Sequence, residues 1–278
     1  MPRDRLDVWL VRRGYFDSRQ QAQRSILAGE VQVDGEVIDK PGTAVVGEPG
    51  IQLKAKPAFV SRGGEKLAGA LAYFDVEIAD RICLDGGIST GGFTDCLLQR
   101  EAEEVFGVDV GYGQVAWSLQ TNPRVHVKER TNLRHLTPEQ LYERERPVER
   151  WADLTVIDVS FISLTKILPA VWKLLRSPRE ALLLVKPQFE AGRDRVGKKG
   201  VVRDAAVHAE VLLHVARAAV ELGWGYRDAT WSPIVGPAGN IEYWLWLHEH
   251  GERALPALEN FHELARSART ALTRTEET

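Results

Sequence analysis

Residues 1–56 carry short apolar patterns that read as a small module of their own. Leu6, Val8, Trp9, Leu10 and Val11 predict an amphipathic helix that stops near Gly14. Asp17-Ser18 offers an N-cap for a second helix, which turns Ala22, Ile26 and Leu27 inward and ends at Ala28-Gly29. Val31-Gln32-Val33, the pair Asp34-Gly35 and Glu36-Val37-Ile38 then predict a hairpin, because Asp-Gly accepts the positive φ angles of a tight turn. Lys54-Ala55-Lys56-Pro57 reads as a linker. The expected division is a module at 1–56, a connection at 57–60 and a second domain at 61–278.

The second domain has a different rhythm. Residues 65–74 place Leu67, Ala70, Leu71 and Phe74 on one helix face. Short apolar runs then alternate with helices: Ile82-Cys83-Leu84, Val105-Phe106-Gly107-Val108, Val125-His126-Val127, Leu154-Thr155-Val156-Ile157 and Ala181-Leu182-Leu183-Leu184-Val185. A long helix follows over 205–222, then strands near 227–231 and 242–247, then an amphipathic helix over 255–272. Runs of this kind are strands buried on both faces, so they predict an α/β domain with a mostly parallel sheet.

Composition narrows the class. A chain with 44% hydrophobic and 27% charged residues has the balance of a soluble globular protein. The formal net charge of −3 means that any nucleic-acid contact must come from local basic patches. Two cysteines, Cys83 and Cys96, make no disulfide framework and read as small core residues of a cytoplasmic protein. No secretion signal or membrane-spanning run is read in the sequence.

The candidate chemistry begins at Cys83-Leu84-Asp85-Gly86-Gly87-Ile88-Ser89-Thr90-Gly91-Gly92-Phe93-Thr94-Asp95, where a strand enters a glycine- and hydroxyl-rich turn and a helix follows. Glycines let backbone approach a ligand closely, and a helix start offers unpaired N–H groups. Gly87-Ile88-Ser89-Thr90-Gly91 mimics a hydrolase nucleophile elbow, but no oxyanion segment accompanies it and Asp85 precedes the glycines. The dinucleotide fingerprint G-x-G-x-x-G is absent. Asp109 closes the next strand, where an acid hydrogen-bonds ribose hydroxyls in nucleotide-binding sheets. Together with Asp85, this suits the sulfonium and ribose of S-adenosylmethionine better than a phosphate cradle would. The expected cofactor contacts are Asp85, Gly86, Gly87, Ser89, Thr90, Gly91, Gly92, Phe93, Asp109 and Asp158.

Four charged residues stand at strand or helix ends. Lys66 opens the first helix, Asp158 and Lys186 follow the fourth and fifth strands, and Glu242 begins the last. Carboxyl ends of parallel strands face the ligand crevice, and an antiparallel last strand starts at that same edge, so all four can converge. No metal is required of such a set, and no His/Cys ligand cluster is present.

Basic residues form two further groups. Arg5, Arg12, Arg13, Arg19, Gln20 and Arg24 cluster around the first helix–turn–helix. The order Arg5-Leu6-Asp7-Val8-Trp9-Leu10, Ser18-Arg19-Gln20-Gln21-Ala22 and Gly29-Glu30-Val31-Gln32-Val33-Asp34-Gly35 resembles the S4 RNA-binding domain. Residues 193–203 hold Arg193, Arg195, Lys198, Lys199 and Arg203 against one acid, with two glycines, and read as a mobile phosphate clamp. Arg62 and Arg134 extend that track. Phe161 and Phe189 follow charged positions and read either as packing residues or as stacking platforms for a flipped base.

Ser61-Arg62-Gly63-Gly64-Glu65-Lys66-Leu67, the glycine loop, Gly107-Val108-Asp109-Val110-Gly111-Tyr112-Gly113-Gln114, Asp158-Val159-Ser160-Phe161-Ile162-Ser163 and Lys186-Pro187-Gln188-Phe189-Glu190 together resemble the TlyA family. That resemblance implies an S4 domain ahead of a Rossmann-like class I, FtsJ-type methyltransferase domain with a seven-stranded mixed sheet and an antiparallel last strand. It implies S-adenosylmethionine as cofactor, ribosomal RNA or ribosomal subunits as partner, ribose 2′-O-methylation of a cytidine, and a Lys66-Asp158-Lys186-Glu242 catalytic set. Within that set Lys186 is the expected base, because a lysine that is desolvated beside a second ammonium is driven toward its neutral form. The alternatives are a catalytically silent S4 assembly factor and the lytic activity for which the family was once named.

Overall fold

The computed structural model describes residues 3–54, 57–142 and 146–275. The chain divides into two compact units, Met1–Pro57 and Ala58–Thr278. Two residues of the predicted linker, Ala55 and Lys56, lie outside the described residues.

The first unit runs β1 (Arg3–Arg5), α1 (Leu6–Arg12), α2 (Arg19–Leu27), β2 (Val31–Val33), β3 (Glu36–Val37), β4 (Ala44–Val46) and β5 (Ile51–Leu53). Leu6, Leu10, Ala22, Ile26, Val31 and Val45 form its core. Ser18 caps α2 by accepting from the Gln21 amide at 3.3 Å. Asp34 and Gly35 have φ of 52° and 87°, the left-handed pair that closes the predicted β2–β3 hairpin. Leu27, expected to face inward, is 67% exposed, because as the last residue of α2 it is turned about 100° from its buried neighbour Ile26. β1, β4 and β5 were not predicted; they are about as short as β2 and β3 but flank no Asp-Gly turn to mark them.

The second unit runs α3 (Gly63–Phe74), β6 (Ile82–Gly86), α4 (Gly92–Gln99), β7 (Glu104–Val108), α5 (Trp117–Gln120), β8 (Val125–Lys128), α6 (Pro138–Leu141), β9 (Leu154–Ile157), α7 (Leu168–Leu174), β10 (Glu180–Val185), α8 (Pro187–Glu190), α9 (Ala205–Leu222), β11 (Gly225–Trp231), β12 (Tyr243–His248) and α10 (Leu258–Thr275). Its sheet has the order β11-β12-β10-β9-β6-β7-β8, and β12 is antiparallel to both of its neighbours. The fold is therefore the mixed seven-stranded α/β sheet that the sequence predicted. Leu67, Leu71, Phe93, Leu97 and Trp244 pack one face, and Leu168, Leu212, Trp224 and Phe261 pack the other. With both faces covered, a strand gains burial on every residue, which is why its sequence reads as an unbroken apolar run.

The strand order reverses at β6, which pairs with β7 on one side and β9 on the other. A crevice opens outside the carboxyl ends of strands at such a point. Gly87 and Asp158 are the first residues beyond β6 and β9.

The segment after β10 is more anchored than a mobile loop. Residues 193–195 form a 3₁₀ turn, Val201 and Val202 are buried, and the buried Asn240 side chain accepts from the Val202 amide at 3.0 Å and donates to the Gly200 carbonyl at 2.9 Å. No helix among the described residues is long and apolar enough to cross a membrane.

Candidate active site and its family

Two cavities, of about 340 and 310 Å³, meet at the crevice and share Gly87, Ser89 and Asp158. The first is bounded by Arg62, Lys66, Thr90, Gly92 and Phe93. The second is bounded by Asp109, Val110, Asn132, Phe161 and Ile162. The turn between them owes its path to glycine. Gly87 has φ of 89°, and a Cβ there would overlap the Asp158 carbonyl oxygen. Gly91 has φ of 96° and abuts Leu119, so the chain can enter α4 without a side chain in the way.

Asp109 fastens this turn. Its carboxylate accepts from the Ser89 amide at 2.8 Å and from the Gly111 amide at 2.7 Å. Each oxygen keeps a further lone pair for a ligand hydroxyl. Asp85 has a different place from the one its position suggested. It lines neither cavity and is fully buried beneath the loop. One of its oxygens accepts from the Thr94 amide at 3.0 Å and the Thr94 hydroxyl at 2.6 Å, and the other has no hydrogen-bond partner. Gly86 and Gly91 are likewise buried and line neither cavity. These three shape the loop, whereas Gly87, Ser89, Thr90, Gly92, Phe93, Asp109 and Asp158 border the cavities.

Burial pushes the Asp85 carboxyl up to about 7; the Thr94 hydroxyl opposes this and the Asp158 charge adds to it. The folded state thus keeps a proton that the unfolded chain releases near pH 4, so this group's contribution to stability falls as pH rises from about 4 to 7. Asp85→Asn, which keeps an acceptor for Thr94, is expected to remove that fall. Melting curves of both proteins from pH 4 to 8 should show the variant gaining on the wild type across the window. Parallel curves would refute the assignment.

The four charged residues predicted from strand and helix ends form two pairs. Lys66 Nζ lies 2.6 Å from Glu242 Oε2, with side chains 9% and 1% exposed. Lys186 is paired with Asp158 Oδ1 and donates to the Ser160 hydroxyl at 3.1 Å. Lys66 and Asp158 line the first cavity. Lys186 is buried and reaches the crevice through Asp158 and Ser160, which border it. Glu242 stands behind Lys66.

Residues without an assigned role complete the frame. Glu190 accepts from the Ser163 hydroxyl at 2.6 Å and the Leu164 amide at 2.7 Å, joining the segments after β9 and β10. Ser160 and Glu190 both lay inside quoted motifs, and only their partners gave them a function. Phe161 has φ of 65° and is 90% exposed, and its ring lies 5.0 Å from that of Phe189. A bulky residue held in the left-handed region beside a cavity marks a site where structure overrides backbone preference.

In the first unit the arginines are less free than their clustering implied, because acids both near and distant in sequence oppose them. The buried Asp7 accepts from Arg5 at 3.1 Å, Arg19 at 2.9 Å and Gln23 at 2.6 Å, which holds its carboxyl well below the usual range even though burial alone would raise it. Arg12 pairs with Asp4 at 2.7 Å and Arg13 pairs with Glu48. Gln20 and Arg24 border a groove beside Glu30. In the second unit Arg62 donates to the Val235 carbonyl at 3.1 Å and Arg195 pairs with Glu210, while Arg134, Arg193, Lys198 and Lys199 are exposed.

Comparison with known proteins agrees with this architecture. The S4 domain model matches residues 4–48 and the FtsJ-like methyltransferase model matches residues 59–249. The chain is 49% identical over 257 residues to the 16S/23S rRNA (cytidine-2′-O)-methyltransferase TlyA of Mycobacterium tuberculosis, covering 92% of this chain and 93% of that one. It is 39% identical over 239 residues to Hemolysin A of Brachyspira hyodysenteriae, covering 86% and 97%. A solved hemolysin-named structure from Streptococcus thermophilus superposes with a TM-score of 0.75 at 40% identity over 100% of both chains. The chain belongs to the FtsJ-like methyltransferases, in the TlyA family that carries an S4 domain ahead of the methyltransferase domain.

Proposed function

We propose that this chain transfers a methyl group from S-adenosylmethionine to the ribose 2′-hydroxyl of a cytidine in ribosomal RNA, in the small subunit, the large subunit or both, and that it does so in the cytoplasm. The observation that carries this reading is the pair of Lys–carboxylate couples, Lys66–Glu242 and Lys186–Asp158, at the crevice beside the glycine turn. The residues fit the cofactor. Asp109 would hold the ribose diol, Val110 and Ile162 the base, and Asp158, shared by both cavities, the charged methionine end. When bound, S-adenosylmethionine supplies a methyl group on an electrophilic sulfonium.

The chain's own residues manage the proton. A neutral lysine amine has two N–H donors and one lone pair. Ser160 accepts from Lys186 and Asp158 faces the same amine as its ion-pair partner, so in the neutral form a lone pair would be left for the proton of the 2′-hydroxyl. Lys66, steadied by Glu242, keeps donors for the same ribose and orients it. Phe161, exposed at the mouth, offers a face on which the target base stacks. The division into an RNA-holding unit at 1–56, a connection at 57–60 and a transferase domain at 61–278 belongs to this reading, as does RNA contact by the arginines of the S4 unit.

The test is methyl transfer from tritiated cofactor to unmethylated small and large ribosomal subunits, with the product mapped by resistance of the modified linkage to alkaline cleavage. Label at a cytidine ribose is expected. A chain that binds the cofactor yet labels neither subunit nor free ribosomal RNA would be a silent assembly factor instead.

A further inference from the structure

The loop between β11 and β12 has two sides. Val235 lines the cleft beside Lys66, and it also lines a separate cavity of about 260 Å³. Arg203, His208, Ile241 and Arg269 border that second cavity. Topology brings it to the functional edge of the sheet. β12 starts beside the end of β10 and runs away from it, so α10 begins at the opposite edge and returns along α9. Over 18 residues it rises about 27 Å, and its final turns meet the segment that leads into Glu242.

The walls are fixed, and two guanidinium groups on them are unpaired among the described residues. The buried Asn240 ties the Arg203 segment to the start of β12 through Val202 and Gly200. The buried His208 is bonded to the Tyr243 hydroxyl at 2.7 Å and the Val202 carbonyl at 2.9 Å, and burial favours its neutral form, so it shapes the wall without adding charge. The nearest acid in sequence, Asp204, caps α9 by accepting from the Ala206 amide with one oxygen, and its charge reaches His208 without an ion pair to either arginine. Arg195 of the same segment is neutralised by Glu210. Arg203 and Arg269, by contrast, border the cavity with no side-chain hydrogen bond or ion pair among the described residues.

We propose that this cavity is a phosphate subsite in which Arg203 and Arg269 hold a backbone phosphate of the RNA strand next to the nucleotide in the cleft. The proposal rests on the RNA-methyltransferase reading and adds a contact outside the reacting centre. Guanidinium forks match phosphate oxygens in geometry and charge. Such contacts carry no sequence information but fix the register of the strand, which here sets which ribose reaches Lys186.

The experiment uses the full chain with Arg203→Ala, Arg269→Ala and the double change. Arg266→Ala serves as control, since Arg266 is exposed on α10 outside the cavity. Binding to unmethylated small and large ribosomal subunits is measured by filter retention between about 50 and 200 mM salt. Each single change is expected to weaken binding about tenfold at low salt and to lower the slope of log affinity against log salt by about one. The double change should exceed either single one, the control should match wild type, and cofactor affinity should hold in all. A double variant with wild-type affinity and slope overturns the subsite, as does an equal loss in the control. Methyl transfer is scored separately. Wild-type protein that binds subunits but transfers nothing sinks the enzyme reading while the binding series still decides the cavity.

Discussion

Lys186→Ala is expected to lower methyl transfer about a thousandfold or more, while cofactor affinity stays near that of the wild type. The size follows from removal of a general base, whose contribution spans about two to four orders of magnitude. Cofactor affinity should survive because Lys186 is absent from the walls of both cavities and the lost partner of Asp158 leaves that carboxylate still bordering the crevice. Lys186→Arg sharpens the result. Arginine can still pair with Asp158 but is permanently charged and has no lone pair to take up a proton, so it should be as inactive as alanine while melting close to wild type. Single-turnover transfer to ribosomal subunits, alongside calorimetric cofactor titration, reads both quantities. Turnover within tenfold of wild type in the arginine variant would remove proton abstraction by Lys186 from the mechanism.

Glu242→Ala should be the most destabilising change at the site. It leaves the Lys66 ammonium, 9% exposed, without its partner at 2.6 Å. Breaking one side of a buried pair costs about 3–5 kcal/mol, because the remaining charge is stranded away from water. For a unit of this size that amounts to a fall in Tm of roughly 10 °C. The joint change Lys66→Met with Glu242→Leu removes both charges and should recover most of the loss, yet it should transfer no methyl group. Stability and activity would then separate: the single variant loses both, the double variant only activity. A double variant that melts as low as Glu242→Ala would show that the cost lies in packing around Gly236 and Ser232, which adjoin Glu242, and not in the stranded charge.

The parts of the fold that were legible in the chain are those with local causes. The four buried strands β6, β7, β9 and β10 announced themselves because a strand covered on both faces must be apolar throughout, and the turn at Asp34-Gly35 because few other pairs accept two positive φ angles. Asp158, Lys186 and Glu242 could be proposed together because a strand's end fixes which edge of the sheet its next residue occupies, and Lys66 joined them from the opening turn of α3. Asp85 shows the limit of such reasoning. Its sequence position is that of a ligand-facing acid, and its burial beneath Thr94 depends on how α4 packs over β6. The arginines of the first unit show the same limit, since Asp7 meets Arg19 and Glu48 meets Arg13 only after the chain has folded back.

By itself, then, the sequence determined the alternation of strands and helices, the glycine turn and the edge of the sheet where charged residues gather, because each follows from backbone preference and burial within a few residues. The tertiary structure alone decided which lysine meets which carboxylate, that Ser160 shares the amine of Lys186, and that Arg203 and Arg269 border one cavity from segments more than sixty residues apart. Side-chain partnership is a matter of distances across the fold, and a linear pattern holds no record of them.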